Sequence, residues 1–443
     1  MTTETKDSGV KWIGTVPADW EINKIKYIAV LKGRIGWQGL TSDEYTDEGA
    51  YLITGVDFEN GGINWDSCVH VPMRRWEEAR DIQIEDGDLL ITKDGTIGKV
   101  AIVSGCTAPT SLNSGVLRIS TIDGYDRRFL YWVLQSDVFW TWFTDKNAGN
   151  STIQHLYQGD FAEFKYAVPP IDEQQAIAAF LDDECTKIDS IIDDLERQII
   201  ILKSYRSAVI TDTVTRGLKK DNVLVDTKVE SVGLLPSSWA VNKIKYVCTL
   251  VRGGSPRPIE DYLSEDENDV NWIKIGDTKK GYKYIDSTSQ KIIHAGVSRS
   301  RFVKKGTLLL TNSMSFGQPY ILNIDGCIHD GWLAFSEFKD ISKEFLFYVL
   351  MSELCLKQFN KAAIGAVVDN LSIEKVGSTY IPIPPLEEQA DIVNYLDEEC
   401  AKIDEIANGK EKQLIQMKAH KYATIYEYVT GKKRVKEDMS YAN

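Results

Sequence analysis

One stretch of this chain occurs twice. VPPIDEQQAIAAFLDDECTKIDSI (168–191) and IPPLEEQADIVNYLDEECAKIDEI (383–406) align without a gap at an offset of 215, carrying Pro170 to Pro385, Gln174 to Gln389, Leu181 to Leu396, Cys185 to Cys400 and Asp189 to Asp404. This duplication constrains the fold more than any other feature, because each copy opens a long helix. Two prolines hold the entering backbone extended, and Asp172, or the pair Glu387 and Glu388, places negative charge on the exposed N–H groups of the first turn. No proline follows within either segment. In the first, Leu181, Ile188, Leu195, Leu202 and Val209 recur every seven residues, flanked by Ile177, Ile191, Ile192, Ile199 and Tyr205, the pattern of a coiled-coil seam that stops at Arg216-Gly217. In the second, Lys410 interrupts the row of Leu396, Ile403 and Met417, and Asn408-Gly409 falls mid-helix at a cost of about 1 kcal/mol. Leu414, Ile425 and Tyr428 nevertheless carry the apolar stripe on to Gly431. Each helix should run roughly 44 residues, or about 65 Å. Two such helices separated by a globular insert would most simply pack against each other.

A chain of 443 residues exceeds what one core supports and predicts several domains. Its net charge of −14 looks wrong for a partner of nucleic acid, so the location of that charge matters. Residues 171–200 hold nine acids and two bases, and residues 386–406 eight acids and one base, so the two helix starts together carry the whole excess. The plain reading is a solvated helix face, the alternative a carboxylate site or a surface for a protein partner. The polar, acidic N-terminus and the lack of an apolar run near eighteen residues point to a cytoplasmic protein without membrane contact. Seven scattered cysteines without a C-x-x-C pair fit reduced thiols, with Cys185 and Cys400 serving packing.

The duplication continues more weakly outside the helices. KWIGTVPADWEINKIKY (11–27) matches ESVGLLPSSWAVNKIKY (230–246) at an offset of 219, as GDLLITKDGTIG (87–98) matches GTLLLTNSMSFG (306–317). SGVLRIS near Gly115 answers DGWLAFS near Gly331, and FLYWVL at Phe129 answers FLFYVL at Phe345. Spacing is kept while intervening residues differ, which predicts one fold carrying two different surfaces. Strands are expected at 51–56, 89–92, 100–103 and 116–119 with a helix over 127–143, and in the second insert at 272–275, 307–310, 320–324 and 332–335 with a helix over 343–359.

A search for catalysis comes back empty. There is no G-x-x-x-x-G-K-[ST], no N-P-P-[YF] or D-P-P-Y, and no G-x-G-x-x-G, and the five histidines are not at ligand spacing. The acid-then-lysine run 88–93 could pass for a nuclease fragment, but its duplicate at 307–312 has lost both the acid and the lysine, so it reads as a turn and a buried strand. Loops of both inserts instead interleave polar and basic residues with aromatics, the set that contacts phosphates and base edges. In the first these are Lys32, Arg34, Trp37, Gln38, Lys93, Lys99, Asn150, Ser151 and Gln154. In the second they are Arg252, Arg257, Lys279, Lys280, Lys283, Asn312, Ser313 and Gln318.

The arrangement P-P-[IL]-x-E-Q-x-x-I followed by L-D-x-E-C-x-K-I-D, repeated after each of two variable inserts that begin near P-x-x-W and N-K-I-K-Y, resembles the specificity (S) subunit of type I restriction-modification systems. The resemblance implies an α+β chain: two pseudo-repeated α/β target recognition domains joined by two long antiparallel coiled-coil helices. It places a first target recognition domain at 1–167, the first conserved helix at 168–217, a linker and second recognition domain at 218–382, and the second helix and tail at 383–443. It further implies a non-catalytic subunit that reads a bipartite, asymmetric site on double-stranded DNA. Two methyltransferase (M) subunits and two restriction (R) subunits would be its partners. S-adenosylmethionine, ATP and Mg would be held by those partners and no cofactor by this chain. The competing expectation is a coiled-coil scaffold whose inserts bind protein, separated from the first by salt-sensitive, sequence-selective DNA binding.

Overall fold

A computed structural model describes residues 4–34, 40–148, 154–219, 221–279, 281–313, 317–363 and 371–435. The chain forms two compact units, Met1–Asp194 with Gln413–Asn443, and Leu195–Lys412. Each unit therefore contains one insert and a portion of both long helices.

In the first unit an antiparallel sheet is ordered Val100–Ile102, Leu89–Thr92, Val116–Thr121, Ala29–Gly33. A second sheet is ordered Thr110–Leu112, Ala50–Ile53, Val69–Val71, its first pair parallel and its second antiparallel. All four residues of Leu89–Thr92 are buried. Because side chains alternate along a strand, Leu89 and Ile91 enter a core with Trp20, Phe129, Phe164 and Leu181, while Leu90 enters a separate one with Ile53, Leu112 and Val116. The pair Glu21–Lys24 and Lys165–Val168 brings the two ends of the insert together just before the first long helix.

The second unit repeats this order with additions. Its first sheet runs Thr249–Arg252, Trp332–Ser336, Leu308–Thr311, Pro319–Leu322, with Tyr284–Ile285 as an extra edge strand. In its second sheet Gln290–Ile292, Val270–Ile273 and Gly326–Ile328 reproduce the antiparallel and parallel pairings of the first unit. Leu308 and Leu310 again face one core and Leu309 another.

The helix expected over 127–143 is two helices, Arg127–Gln135 and Asp137–Lys146. The buried Ser136 separates them, its Oγ donating to the Val133 carbonyl (2.6 Å) and accepting from the Val138 N–H (3.3 Å). The helix expected over 343–359 is likewise Lys343–Met351 and Glu353–Ala363, broken at the buried Ser352. A serine that bonds the preceding turn offers the backbone an alternative to the next helical bond, which hydrophobic periodicity does not register.

The long helices are unbroken, Ile171–Arg216 over 46 residues and Leu386–Val429 over 44. Asn408 and Gly409 lie on an exposed face, where a Cβ at Gly409 would meet nothing. Leu181, Cys185, Ile188, Ile192, Leu195 and Ile199 are buried in alternating steps of four and three, as are Leu396, Cys400, Ile403 and Ala407. Burial pushes the Cys185 and Cys400 thiols up to about 12 and about 11, as expected of packing groups. The seven-residue row does not hold to its end. Leu202 and Val209 are only half-buried, Ile210 and Val214 take the core positions, and Ile191 and Tyr205 are 46% and 52% exposed. An α-helix drifts about 20° per heptad against a strict seven-residue repeat, so a fixed row leaves the buried face. Leu414, Lys410 and Met417 are half-buried, and Ile425 is buried.

Within each unit the helical segments run antiparallel. In the first, Phe180 meets Tyr428 (ring centroids 4.4 Å) and both Asp189 oxygens accept from Lys421 Nζ (2.6 Å). In the second, Arg206 pairs with Asp404 (2.9 Å) and Lys203 with Glu411 (2.8 Å).

The duplicated motif residues are the anchors of this arrangement. Gln174 is buried, its Oε1 accepting from the Asp126 N–H (2.8 Å) and its Nε2 donating to the Pro169 carbonyl (2.8 Å). Gln389 does the same with the Ser342 N–H (2.8 Å) and the carbonyls of Pro384 (2.8 Å) and Asp340 (2.9 Å). Trp20 Nε1 donates to Glu173 (3.0 Å) and Trp239 Nε1 to Glu388 (2.9 Å), which explains why P-x-x-W and E-Q recur together. Trp132 Nε1 donates to Asp182 (3.0 Å), and the Tyr348 hydroxyl to Asp397 (2.5 Å). The acidic run is thus not simply a solvated face: Glu173, Asp182 and Asp189, with Glu388, Asp397 and Asp404, hold specific partners. Both helices end on a glycine with positive φ, Gly217 (73°) and Gly431 (70°). A Cβ at Gly431 would lie 2.4 Å from Pro17, and one at Gly217 3.1 Å from Trp239. No described helix is long and apolar enough to cross a membrane.

Replacing Gln174 or Gln389 with Ala strands a peptide N–H and at least one carbonyl away from water. Each substitution should lower stability by about 3 kcal/mol, measured as a shift in the denaturant midpoint, at roughly 1–3 kcal/mol per buried group.

Candidate nucleic-acid interface

In each insert a hairpin turn projects from the strand buried on both faces, and the same backbone bonds hold it. Lys93 N–H donates to the Gly115 carbonyl (2.8 Å) and Asn312 N–H to that of Gly331 (2.9 Å). The Leu156 N–H closes on the Lys93 carbonyl (3.0 Å) and the Leu371 N–H on that of Asn312 (2.9 Å). Thr92 Oγ1 accepts from Lys99 N–H (3.0 Å), as Thr311 Oγ1 does from Gln318 N–H (2.9 Å).

The side chains on this shared backbone differ. In the first unit Lys93 Nζ donates to Asp94 Oδ2 (3.1 Å), and Asp94 Oδ1 meets His155 Nδ1 (2.6 Å). Burial pushes the Asp94 carboxyl up, but hydrogen bonds from His155 and Lys93 outweigh it and hold the group below the usual carboxylate range. Lys99 Nζ reaches the carbonyls of Phe58 (3.4 Å) and Gly55 (3.5 Å), Gln154 is exposed beside His155, and Lys32 lies 3.8 Å from Asp81. In the second unit Asn312 is buried and donates to the Asp330 carbonyl (3.1 Å), which also accepts from Arg252 Nε (2.9 Å). Arg257 faces the Asp330 carboxylate (3.4 Å). Ser313 and Gln318 are half-exposed on the same turn, and Lys279 is exposed, over the Tyr282 ring (5.8 Å). A cleft of about 760 Å³ opens beside Arg257, with Glu260, Trp272, Lys274, Gln290, His329 and Asp330 in its walls.

Two residues grouped with these loops serve the interior instead. Arg34 is buried, its Nε donating to the Leu112 carbonyl (2.7 Å) and its Nη2 to Ser111 Oγ (2.8 Å), so it braces one sheet against the other. Burial pushes its guanidinium down to about 10. Lys283, with its side chain 15% exposed, pairs with Asp397 and lies over the rings of Tyr348 (5.0 Å) and Phe347 (5.3 Å), tying the insert to the long helix. Loop position could not reveal either role, since both depend on what the neighbouring element places opposite. Trp37, Gln38, Asn150, Ser151 and Lys280 lie outside the described residues. Asp330 and the Asp94–His155 pair were not singled out in the sequence, where neither carries a motif. The 88–93 run is a turn and buried strand, with Asp88 accepting from the Glu85 N–H (3.0 Å).

Two repeated α/β inserts on paired helices, alike in backbone and different in loop chemistry, define a two-domain recognition protein. Residues 17–202 and 236–417 each match the family model for the type I restriction modification DNA specificity domain. The chain belongs to that family, whose members are the recognition component and not the catalyst. It is 25% identical over 442 residues to the type I restriction enzyme MjaVIII specificity subunit of Methanocaldococcus jannaschii, covering 95% of this chain and 94% of the relative. It is 26% identical over 340 residues to the type I restriction enzyme EcoBI specificity subunit of Escherichia coli, covering 74% and 69%. The fold is shared with a chain solved to explain complex assembly and conformational transition of the type I R-M system (TM-score 0.72, 15% identity, 94% of this chain and 99% of that one). The HsdS subunit from Thermoanaerobacter tengcongensis matches with a TM-score of 0.51 at 16% identity, over 94% and 98%.

Arg34→Ala leaves the Leu112 carbonyl and Ser111 hydroxyl unpaired and should destabilise the protein by about 2 kcal/mol or more in chemical denaturation. Lys279→Ala, on the surface, should stay within about 0.5 kcal/mol of the parent.

Proposed function

We propose that this chain reads a bipartite, asymmetric sequence in double-stranded DNA, one half-site per recognition domain, and positions two M subunits to methylate it and two R subunits to cleave unmodified DNA. The observation that carries this reading is the pair of hairpin turns with identical backbone bonding and different side chains, Lys93-Asp94 with His155 in one and Asn312 with Asp330, Arg252 and Arg257 in the other. One scaffold with two unlike reading surfaces calls for two unlike half-sites. S-adenosylmethionine belongs to the M subunits in this reading, ATP and Mg to the partner subunits, and the complex works in the cytoplasm.

The long helices suit partner binding. In the second unit the adjacent Ile200 and Ile201 are exposed on the helix, a place where an apolar partner surface would dock.

Mapping methylated adenines in DNA from cells that express the chain with its M partner should yield a split, non-palindromic motif. A palindrome would contradict two unlike half-sites. Ile200→Asp together with Ile201→Asp should weaken co-purification of M at least tenfold and leave the target sequence of any residual methylation unchanged, since no recognition loop is touched.

A further inference from the structure

Asp330 organises the basic loop of the second insert. Its Oδ1 accepts the Ser255 hydroxyl (2.8 Å), its Oδ2 faces Arg257 Nη2 (3.4 Å), and its peptide carbonyl takes Arg252 Nε (2.9 Å). The loop from Arg252 to Arg257 cannot slide away from it. Gly253 N–H donates to the Trp332 carbonyl (2.9 Å) and Gly254 N–H to that of Ile328 (3.0 Å). A Cβ at Gly253 would lie 2.0 Å from the His329 carbonyl oxygen, so only glycine permits this approach. Burial alone would raise the Asp330 carboxyl, but the Ser255 hydroxyl, its own N–H, His329 and Arg257 together hold it below the ordinary range, so it is ionised at neutral pH.

Arg257 is nevertheless 80% exposed, at the mouth of the cleft. An arginine serving the phosphate backbone gains nothing from a carboxylate beside it, and Asp330 and Glu260 in the same wall repel phosphate oxygens. The contact between Arg257 Nη2 and Asp330 Oδ2 (3.4 Å) tethers one nitrogen of this exposed guanidinium and leaves the rest of its planar fork for a ligand. Two parallel N–H donors in a fixed plane match the O6 and N7 acceptors of guanine in the major groove. We propose that Arg257 reads a guanine in the half-site of the second recognition domain, with Asp330 as the positioning residue that presents it. The assignment rests on the DNA-recognition reading above and adds the base and the residue that orients its reader.

The test uses the full chain co-expressed with its M partner, as parent, Arg257→Ala, Arg257→Lys and Asp330→Asn. Methylation motifs are mapped, and the purified complexes are titrated against duplexes that differ from the parent target at one base pair. The parent second half-site should contain a guanine at which Arg257→Ala loses roughly tenfold to hundredfold discrimination. Arg257→Lys should not restore it, because an ammonium lacks the planar fork. Asp330→Asn should relax the same position by a smaller factor, with the first half-site intact in all variants as the internal measure of folding. If a variant no longer supports methylation, binding decides: discrimination lost at one guanine supports the assignment, and a uniform fall in affinity with a shallower salt dependence makes Arg257 a phosphate contact and overturns it. Unchanged selectivity overturns it as well. A parent complex without any sequence preference removes the recognition reading itself, and this assignment with it.

Discussion

The buried glutamine at the start of each long helix is the contact on which the rest depends. Gln174 and Gln389 each join three things: the prolines that lead into the helix, the turn before the amphipathic helix of the insert, and the long helix itself. A primary amide sealed from water must place donors and acceptors together, because any group left unpaired costs about as much as several bonds gain. Few orientations of insert on helix satisfy that condition. The glutamate one residue earlier then clamps the tryptophan of the insert, and an aspartate nine residues further along the helix takes Trp132 or Tyr348. Four of the acids on these helices, Glu173, Asp182, Glu388 and Asp397, are acceptors aimed at the recognition domain, while Asp189 and Asp404 pair with the opposite helix.

With that attachment secured, variation has one place to go. Leu89–Thr92 and Leu308–Thr311 bury side chains on both faces, and their leucines and isoleucine belong to two cores at once, so both strands are constrained from either side. The turns that leave them are held by main-chain bonds and by the buried Thr92 and Thr311 hydroxyls, none of which involves the side chains of Lys93 or Asn312. Lys93 and Asn312 occupy matching places and donate through the same N–H, yet one side chain pairs with Asp94 and the other supports the Asp330 carbonyl. A scaffold fixed by its core and a surface free at its loops is what a protein needs if its target is to change while its assembly does not.

Much of this was legible in the residues alone. The ungapped repeat exposed the duplication and both long helices, because prolines, an acidic first turn and a terminal glycine are local signals. The P-x-x-W and E-Q elements were visible as a recurring pair, although nothing in the sequence says that Trp20 bonds Glu173. The break at Ser136 and the drift of the buried face from Leu202 and Val209 to Ile210 and Val214 were not legible. The first depends on a side chain bonding its own backbone, the second on the slow rotation of a helix against its partner.

The loops show the same division. Composition located basic and polar turns in both inserts: Lys93, Lys99 and Arg257 do lie on exposed or half-exposed loops, and Arg252 is exposed at the end of the strand Thr249–Arg252. It could not separate Arg257, open to solvent, from Arg34, sealed between two sheets, or from Lys283, locked onto Asp397. Sequence by itself determined the duplication, the helices and the absence of catalytic motifs, since these depend on neighbours along the chain. Tertiary structure decided which charges face outward and which hold the interior, because that depends on the partner each side chain meets across a gap in sequence of tens to hundreds of residues.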